Sequence, residues 1–198
     1  MPPSRTTVTQ LLNAVNDGDH AALDKLYHLL YEELRVRAHR QRKQWRGDYT
    51  LDSVALVNEA YLKLVGQTSI DLKNRAHFLA IAAKAMRFVL FDYVKQRQAQ
   101  KRGGDHQRVS FEKLKGIFEK GGTVSEEQAD VLIALDEALA RLAQFDERQS
   151  QVVECRFFGG MTITETATAL GISAAPVKPD WEMAQTWLYR EIKRILGP

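Results

Sequence analysis

The chain has 198 residues, with 28 Lys plus Arg against 25 Asp plus Glu, a formal charge of +3, 44% hydrophobic residues and 27% charged ones. Recurrent apolar residues exclude wholesale disorder. No run approaches the roughly 18 apolar residues that a membrane-spanning helix needs. The lone Cys155 excludes an intramolecular disulfide and a Cys-based metal site.

Charge is distributed unevenly. Residues 1–110 hold 18 basic and 11 acidic side chains, a balance of +7, whereas 111–153 stand at −4 and 154–198 are neutral. The opening Met1-Pro2-Pro3-Ser4-Arg5 leads into a polar segment. It reads as neither secretory signal nor anchor, so the expected location is the cytoplasm.

In chain order, Leu11, Leu12 and Val15 lie on one helical face, and after a break at Asp17-Gly18-Asp19 the spacing of Leu23, Leu26, Tyr27, Leu30, Leu34 and Ala38 predicts a second helix. A third covers about 51–65 through Leu51, Val54, Val57, Leu62 and Leu64, with Thr50 as its expected cap and Gly66 as its stop. The fourth starts near Asn74, runs through Phe78, Leu79, Ala82, Met86, Val89, Leu90 and Tyr93, and ends at Gly103-Gly104. Residues 103–125 contain five glycines and read as a linker with a short turn around Phe111–Phe118.

Helical signals return at Ser125 and Gln128, a capping-box pair ahead of the stripe Val131, Leu132, Leu135, Leu139 and Leu142. Asp146 with Gln149 predicts a helix to about Phe158. Thr162 with Glu165 predicts another to about Ala169, and Ser173 is the expected cap of the last. The fold class is therefore all-alpha, two small helical domains joined by a flexible linker. The units are 1–102, a linker at 103–125, and 126–198 with a helix-turn-helix.

The helix-turn-helix rests on Ile163, Ala167 and Leu170 facing inward, Gly171 at the turn, Ile172 at the junction, and Val177, Trp181, Ala184 and Leu188 on the second helix. Such a pair can place its second helix in the major groove, and an alpha-hairpin without a ligand has the same pattern. Its leading edge is sparse: of Ala174, Ala175, Pro176, Val177, Lys178 and Pro179, only Lys178 can reach a phosphate or donate to guanine. If Ser173 is the cap, Pro179 lies inside the helix, where it kinks or delays it at a cost of about 3 kcal/mol. A start nearer Lys178 is the other solution.

The second nucleic-acid candidate is the fourth helix and its tail. Lys84, Arg87, Lys95, Arg97, Lys101, Arg102 and Arg108 accompany Phe88, Phe91 and Tyr93 there. Cations interleaved with aromatics suit single strands, although Phe78, Phe88 and Phe91 also read as core. The run Arg35, Arg37, Arg40, Arg42, Lys43 and Arg46 is spread around its helix and reads equally well as solvated surface. An enzyme is not expected. The His residues are dispersed, HExxH is absent, and no phosphate-binding glycine loop follows a strand, so no catalytic residue, metal or cofactor is assigned.

Three segments carry a family pattern: "ALVNEAYLKLV" at 55–65, "RAHFLAIAAKAMRFVLFDYVKQRQAQKRGG" at 75–104, and "VVECRFFGGMTITETATALGIS" at 152–173 followed by "VKPDW" and "AQTWLYREI". In this order and spacing they resemble bacterial extracytoplasmic-function (ECF) sigma factors, specifically the ECF-like group. The resemblance implies a transcription initiation factor that binds RNA polymerase core and recognises promoter DNA. Residues 1–102 correspond to the second sigma domain and 126–198 to the fourth.

By the same resemblance, the helix at 51–65 docks on the beta-prime clamp, with Asp52, Leu56, Asn58, Glu59 and Tyr61 as core-binding residues, and the beta flap is a second polymerase contact. The loop at 66–74 and the helix from Arg75 face the melted minus-10 element, where Lys84, Arg87, Lys95, Arg97, Lys101 and Arg102 hold DNA. Ala174, Ala175 and Lys178 reach the minus-35 duplex, and the linker threads toward the RNA exit channel. An anti-sigma factor is a common partner in the family.

Pro176 and Pro179 depart from an "ATVKRDW" type of sequence, which implies weakened minus-35 reading. Acidic residues are few at 50–65, Asp52 and Glu59 alone. A Ser/Thr kinase acting on Thr50 or Ser53 would supply charge where the helix dipole favours it. The competing readings are a dimeric helix-turn-helix regulator and a sigma-like adaptor impaired in promoter recognition.

Overall fold

The computed structural model describes residues 5–44, 52–66, 71–100 and 129–197. Among these the chain is helical throughout. α1 (Arg5–Asn16) and α2 (His20–Gln44) are joined by a tight turn in which the Asp19 carboxylate accepts from the Ala21 and Ala22 amides. The side chain of Asn16 both donates to the Leu72 carbonyl and accepts from its amide, tying the end of α1 to the segment before α4.

α3 (Ser53–Val65) is capped by Asp52, whose carboxylate accepts from the Ala55 amide at 2.7 Å. The cap is therefore not Thr50, which lies outside the described residues. An ionised side chain does this task at a helix start and also suits the dipole.

α4 (Arg75–Gln100) is the central helix. Phe78, Leu79, Ala82, Ala83, Met86, Leu90, Phe91 and Val94 are all buried, and they project from more than one side of it. A helix apolar on several faces must be covered on several faces. α2 and α3 cover one side, and the C-terminal helices cover another. Phe88 is the exception to the expected aromatic core at 41% exposure; its ring stacks against the Arg87 guanidinium instead.

The C-terminal cluster consists of α5 (Ala129–Phe145), α6 (Glu147–Val153), a π-helical turn at Glu154–Phe158, α7 (Ile163–Leu170) and α8 (Val177–Leu196). The expected start of α5 at Ser125 and the linker 103–125 with its turn at Phe111–Phe118 lie outside the described residues. Asp146 caps α6 by accepting from the Gln149 amide, as its spacing predicts. The expected helix to Phe158 is interrupted, because α6 gives way to wider i→i+5 bonding, seen in the Gly159 amide donating to the Glu154 carbonyl.

That turn brings Gly159 against α4: a Cβ there would sit 2.6 Å from the Cys155 carbonyl oxygen and 3.3 Å from the Ala83 Cβ. Only glycine permits this approach.

One apolar cluster runs through both halves, from Val8 and Leu12 through Leu26, Leu56, Met86 and Phe91 to Leu135, Phe158, Met161 and Ile192. The Phe91 and Phe158 rings meet edge to face at 5.8 Å across the junction. Burial pushes the thiol of Cys155 up to about 12, with Glu154 adding to this and Arg37 opposing it, so it is a packed apolar group and not a nucleophile. No helix among the described residues is long and apolar enough to cross a membrane.

Candidate nucleic-acid and polymerase faces

α3 buries Leu56, Val57, Ala60 and Leu64 and turns its other side outward. Val54, Asn58, Glu59, Leu62 and Val65 are exposed, Leu62 at 61%. Of the five residues carried over by resemblance, Asp52, Asn58 and Glu59 are at the surface and Tyr61 is half-buried. Leu56 is 1% exposed and supports the face from beneath without being able to touch a partner.

Asn58 is held in place because its Oδ1 accepts from the Tyr27 hydroxyl at 2.7 Å, and the Tyr27 ring stacks on Tyr61 with centroids 4.1 Å apart. Burial, and then the neighbouring Tyr31, raise the pKa of Tyr27, so its hydroxyl remains a donor. This outer face combines exposed apolar side chains with a carboxylate and a fixed amide. Ser53 is the first residue of α3, immediately after the cap.

The α4 cations take a different position from that of open DNA contacts. Lys84, Arg87 and Lys95 lie along one side of the helix, consistent with their spacings of three and eight. Arg87 is only 5% exposed. It donates to the carboxylate of Glu154 and, at 3.1 Å, to that of Asp136. Lys95 reaches the other Asp136 oxygen at 2.7 Å, and Lys84 lies 3.7 Å from Glu154. Burial raises the pKa of Glu154, and the charges of Arg87 and Lys84 offset part of that rise. Arg97 is within α4, while Lys101, Arg102 and Arg108 lie outside the described residues.

A second cluster joins the halves. Arg37, buried on α2, donates to the Gly159 carbonyl, to Glu33 at 2.9 Å and to Glu165 at 3.2 Å, and Arg75 donates to the other Glu33 oxygen. Glu165 sits below its ordinary pKa: burial opposes ionisation, but the Thr162 amide and hydroxyl and the Arg37 guanidinium outweigh it. Asn74 adds a bond to the Thr168 carbonyl at 3.1 Å. Within the run Arg35–Arg46, the sequence treats Arg37 as one of several surface cations. Its only visible sign is a position one turn past Leu34 and next to Ala38, on the buried side of α2.

The helix-turn-helix is built as the spacing predicts. Thr162 and Glu165 form a reciprocal capping box. Gly171 takes the left-handed conformation, φ 66°, that ends α7. Val152, Ala167 and Val177, with Ile163, Leu170, Ile172 and Trp181 against them, form the small core of the motif.

The start of α8 differs from the expected Ser173 cap. Pro176 occupies the cap position and Val177 is the first helical residue, so Pro179 falls in the first turn. An amide there has no intrahelical acceptor, and losing it removes nothing. The expected kink is absent for that reason, and the first backbone bond runs from the Asp180 amide to the Pro176 carbonyl at 2.9 Å. The Asp180 carboxylate accepts two bonds from Arg148, fastening α8 to α6. Ala174, Ala175 and Lys178 are exposed, and the Lys178 ammonium lies 3.8 Å from Glu182.

Among the described residues, no group of three or more His, Cys, Asp or Glu side chains is placed to hold a metal ion. The family model described as ECF sigma factor matches residues 5–194, nearly the whole chain. No curated protein and no solved structure gives a match.

Proposed function

The chain belongs to the ECF sigma factors, non-catalytic proteins that bind RNA polymerase and direct promoter recognition and transcription initiation, and from that premise we propose how its surfaces divide the work. The outer face of α3, with Asp52, Asn58, Glu59 and Tyr61, docks on the beta-prime clamp of the core enzyme. Residues 1–102 form the unit that holds the melted minus-10 element, through Lys84, Arg87 and Lys95 of α4 together with Arg97, Lys101 and Arg102. Residues 126–198 form the unit that reaches the minus-35 duplex through Ala174, Ala175 and Lys178 and approaches the beta flap, with 103–125 joining the two.

The observation that carries this division is the composition of the α3 face. Exposed Val54, Leu62 and Val65 beside the exposed carboxylate of Glu59 and a clamped Asn58 make a partly apolar surface, on which the one cation, Lys63, is paired with Asp92 at 2.9 Å. Protein interfaces are built this way, and duplex-binding surfaces are not.

The helix-turn-helix supplies correct geometry with little charge, which favours weak minus-35 reading. Glu59→Lys is the direct test of the docking face. The variant is expected to lose about tenfold or more in affinity for core polymerase, since a reversed rim charge opposes a complementary partner. Its helical content should be unchanged, because Glu59 is solvent-exposed. Core affinity equal to that of the native chain would assign docking to another surface.

A further inference from the structure

The phenol of Tyr27 reaches from α2 to the outer face of α3. Tyr27 is 6% exposed, its ring is stacked on Tyr61 at 4.1 Å between centroids, and Tyr31 meets it edge-on at 5.6 Å, so the hydroxyl has little freedom to move. That hydroxyl lies 2.7 Å from the Asn58 Oδ1, a separation that fits an O–H donor better than an amide N–H, for which roughly 2.9 Å is usual. Burial, and Tyr31 after it, keep the phenol protonated and able to donate.

The consequence lies in the other half of the amide. With Oδ1 engaged by the phenol, Nδ2 and its hydrogens turn away from Tyr27, and they have no partner among the described residues. Asn58 is exposed and stands one turn after Val54 and one turn before Leu62, both exposed as well, so its amide interrupts an apolar row. A polar group in such a place must be matched once a partner excludes water, and a wrong match is costly. The adjacent exposed carboxylate of Glu59 opposes a second carboxylate there, which leaves a neutral oxygen as the fitting group.

We propose that Tyr27 is a positioning residue for polymerase docking: it fixes the Asn58 amide so that the docking face offers N–H donors at this point, and the clamp answers with a neutral carbonyl oxygen. The inference rests on the assignment of the outer face of α3 as the docking surface. Tyr27 itself touches no partner. Without its hydroxyl the amide is free to turn and present either end, and part of the binding energy goes into ordering it.

The test measures the affinity of the full chain and its variants for core polymerase, with a thermal melt of each. Tyr27→Phe removes the hydroxyl and keeps the stacked ring. Asn58→Ala removes the amide, and a third variant carries both changes. Asn58→Asp keeps an oxygen for the Tyr27 hydroxyl and turns an acceptor outward in place of the donors.

Asn58→Ala is expected to weaken core binding about tenfold and Tyr27→Phe about threefold, and the double variant should bind no more weakly than Asn58→Ala alone. Asn58→Asp should also lose about tenfold, although its added negative charge would favour a basic clamp if charge alone decided. Native affinity for Tyr27→Phe would overturn the proposal. So would losses that multiply in the double variant, because the phenol would then act without Asn58. Asn58→Asp binding as tightly as the native chain would overturn the donor assignment. If Asn58→Ala and Glu59→Lys both bind core like the native chain, the docking face itself is misplaced and the inference falls with it. Should Tyr27→Phe melt at a lower temperature, the same comparison still decides, since a packing loss persists in the Asn58→Ala background and a positioning loss does not.

Discussion

Arg87 is where a cation read as a DNA contact is revealed as a buried ion-pair member. Its guanidinium is held by Glu154 and Asp136, and its Cζ also lies 5.7 Å from the centroid of the Phe91 ring. Replacing one partner of such a group leaves the other charge stranded in a low-dielectric site. Arg87→Met is therefore expected to lower the stability of the chain by about 3 kcal/mol in urea denaturation, and adding Glu154→Gln to that variant should recover part of the loss. An unchanged denaturation midpoint for Arg87→Met would mean that Glu154 is solvated in the native state.

The sequence identifies Arg87 as basic and places it on a helix, and those two facts hold equally for a free phosphate ligand and for an internal pair. What decides between them is Asp136, 49 residues away along the chain, and no local periodicity encodes that distance. The buried pairing of Arg37 is hidden in the sequence for the same reason, since its partners include the Gly159 carbonyl and Glu165.

At the scale of elements, the local signals transfer well wherever the partner is within one turn. The Thr162–Glu165 capping box, the Asp146 cap and the Gly171 stop are visible in the sequence because each is a short-range bond. The start of α8 is open in the sequence, between a cap at Ser173 and a start nearer Lys178. Packing resolves it: Val177 enters the small core with Ala167 and Val152, which fixes the register and puts Pro179 in the first turn.

From this follows an expectation for Pro179→Arg. Stability should change by no more than about 0.5 kcal/mol, because the proline costs no hydrogen bond where it stands. Affinity for duplex promoter DNA should rise, with a salt dependence steeper by about one phosphate contact. Thermal melts and salt-titrated DNA binding check the two halves of the statement, and an unchanged salt slope would place residue 179 away from the duplex. The π-helical turn was not legible in the same way. Its wider bonding places Gly159 against Ala83, and that requirement comes from a helix roughly 75 residues earlier in the chain.

For the whole molecule, α4 organises the fold because it is apolar on several sides and is covered by both halves. Its run of Phe78, Leu79, Ala82, Met86, Leu90 and Phe91 signals burial in the sequence, but the identity of its second cover does not follow from that run. Two helical clusters joined by a glycine-rich segment suggest independent bodies. The described residues instead share one core, with cations of α4 neutralised by carboxylates of the other cluster.

The uneven charge of the sequence thus has a use inside the fold: Asp136, from the acidic stretch between residues 111 and 153, pairs with Arg87 and Lys95 of the basic first half. The most direct measurement is transcription reconstituted from purified core polymerase, this chain and a promoter library. The account predicts transcripts that depend on the chain and start from promoters sharing a defined minus-10 element with a more loosely specified minus-35 element. Retention of the chain on core without chain-dependent starts would contradict it.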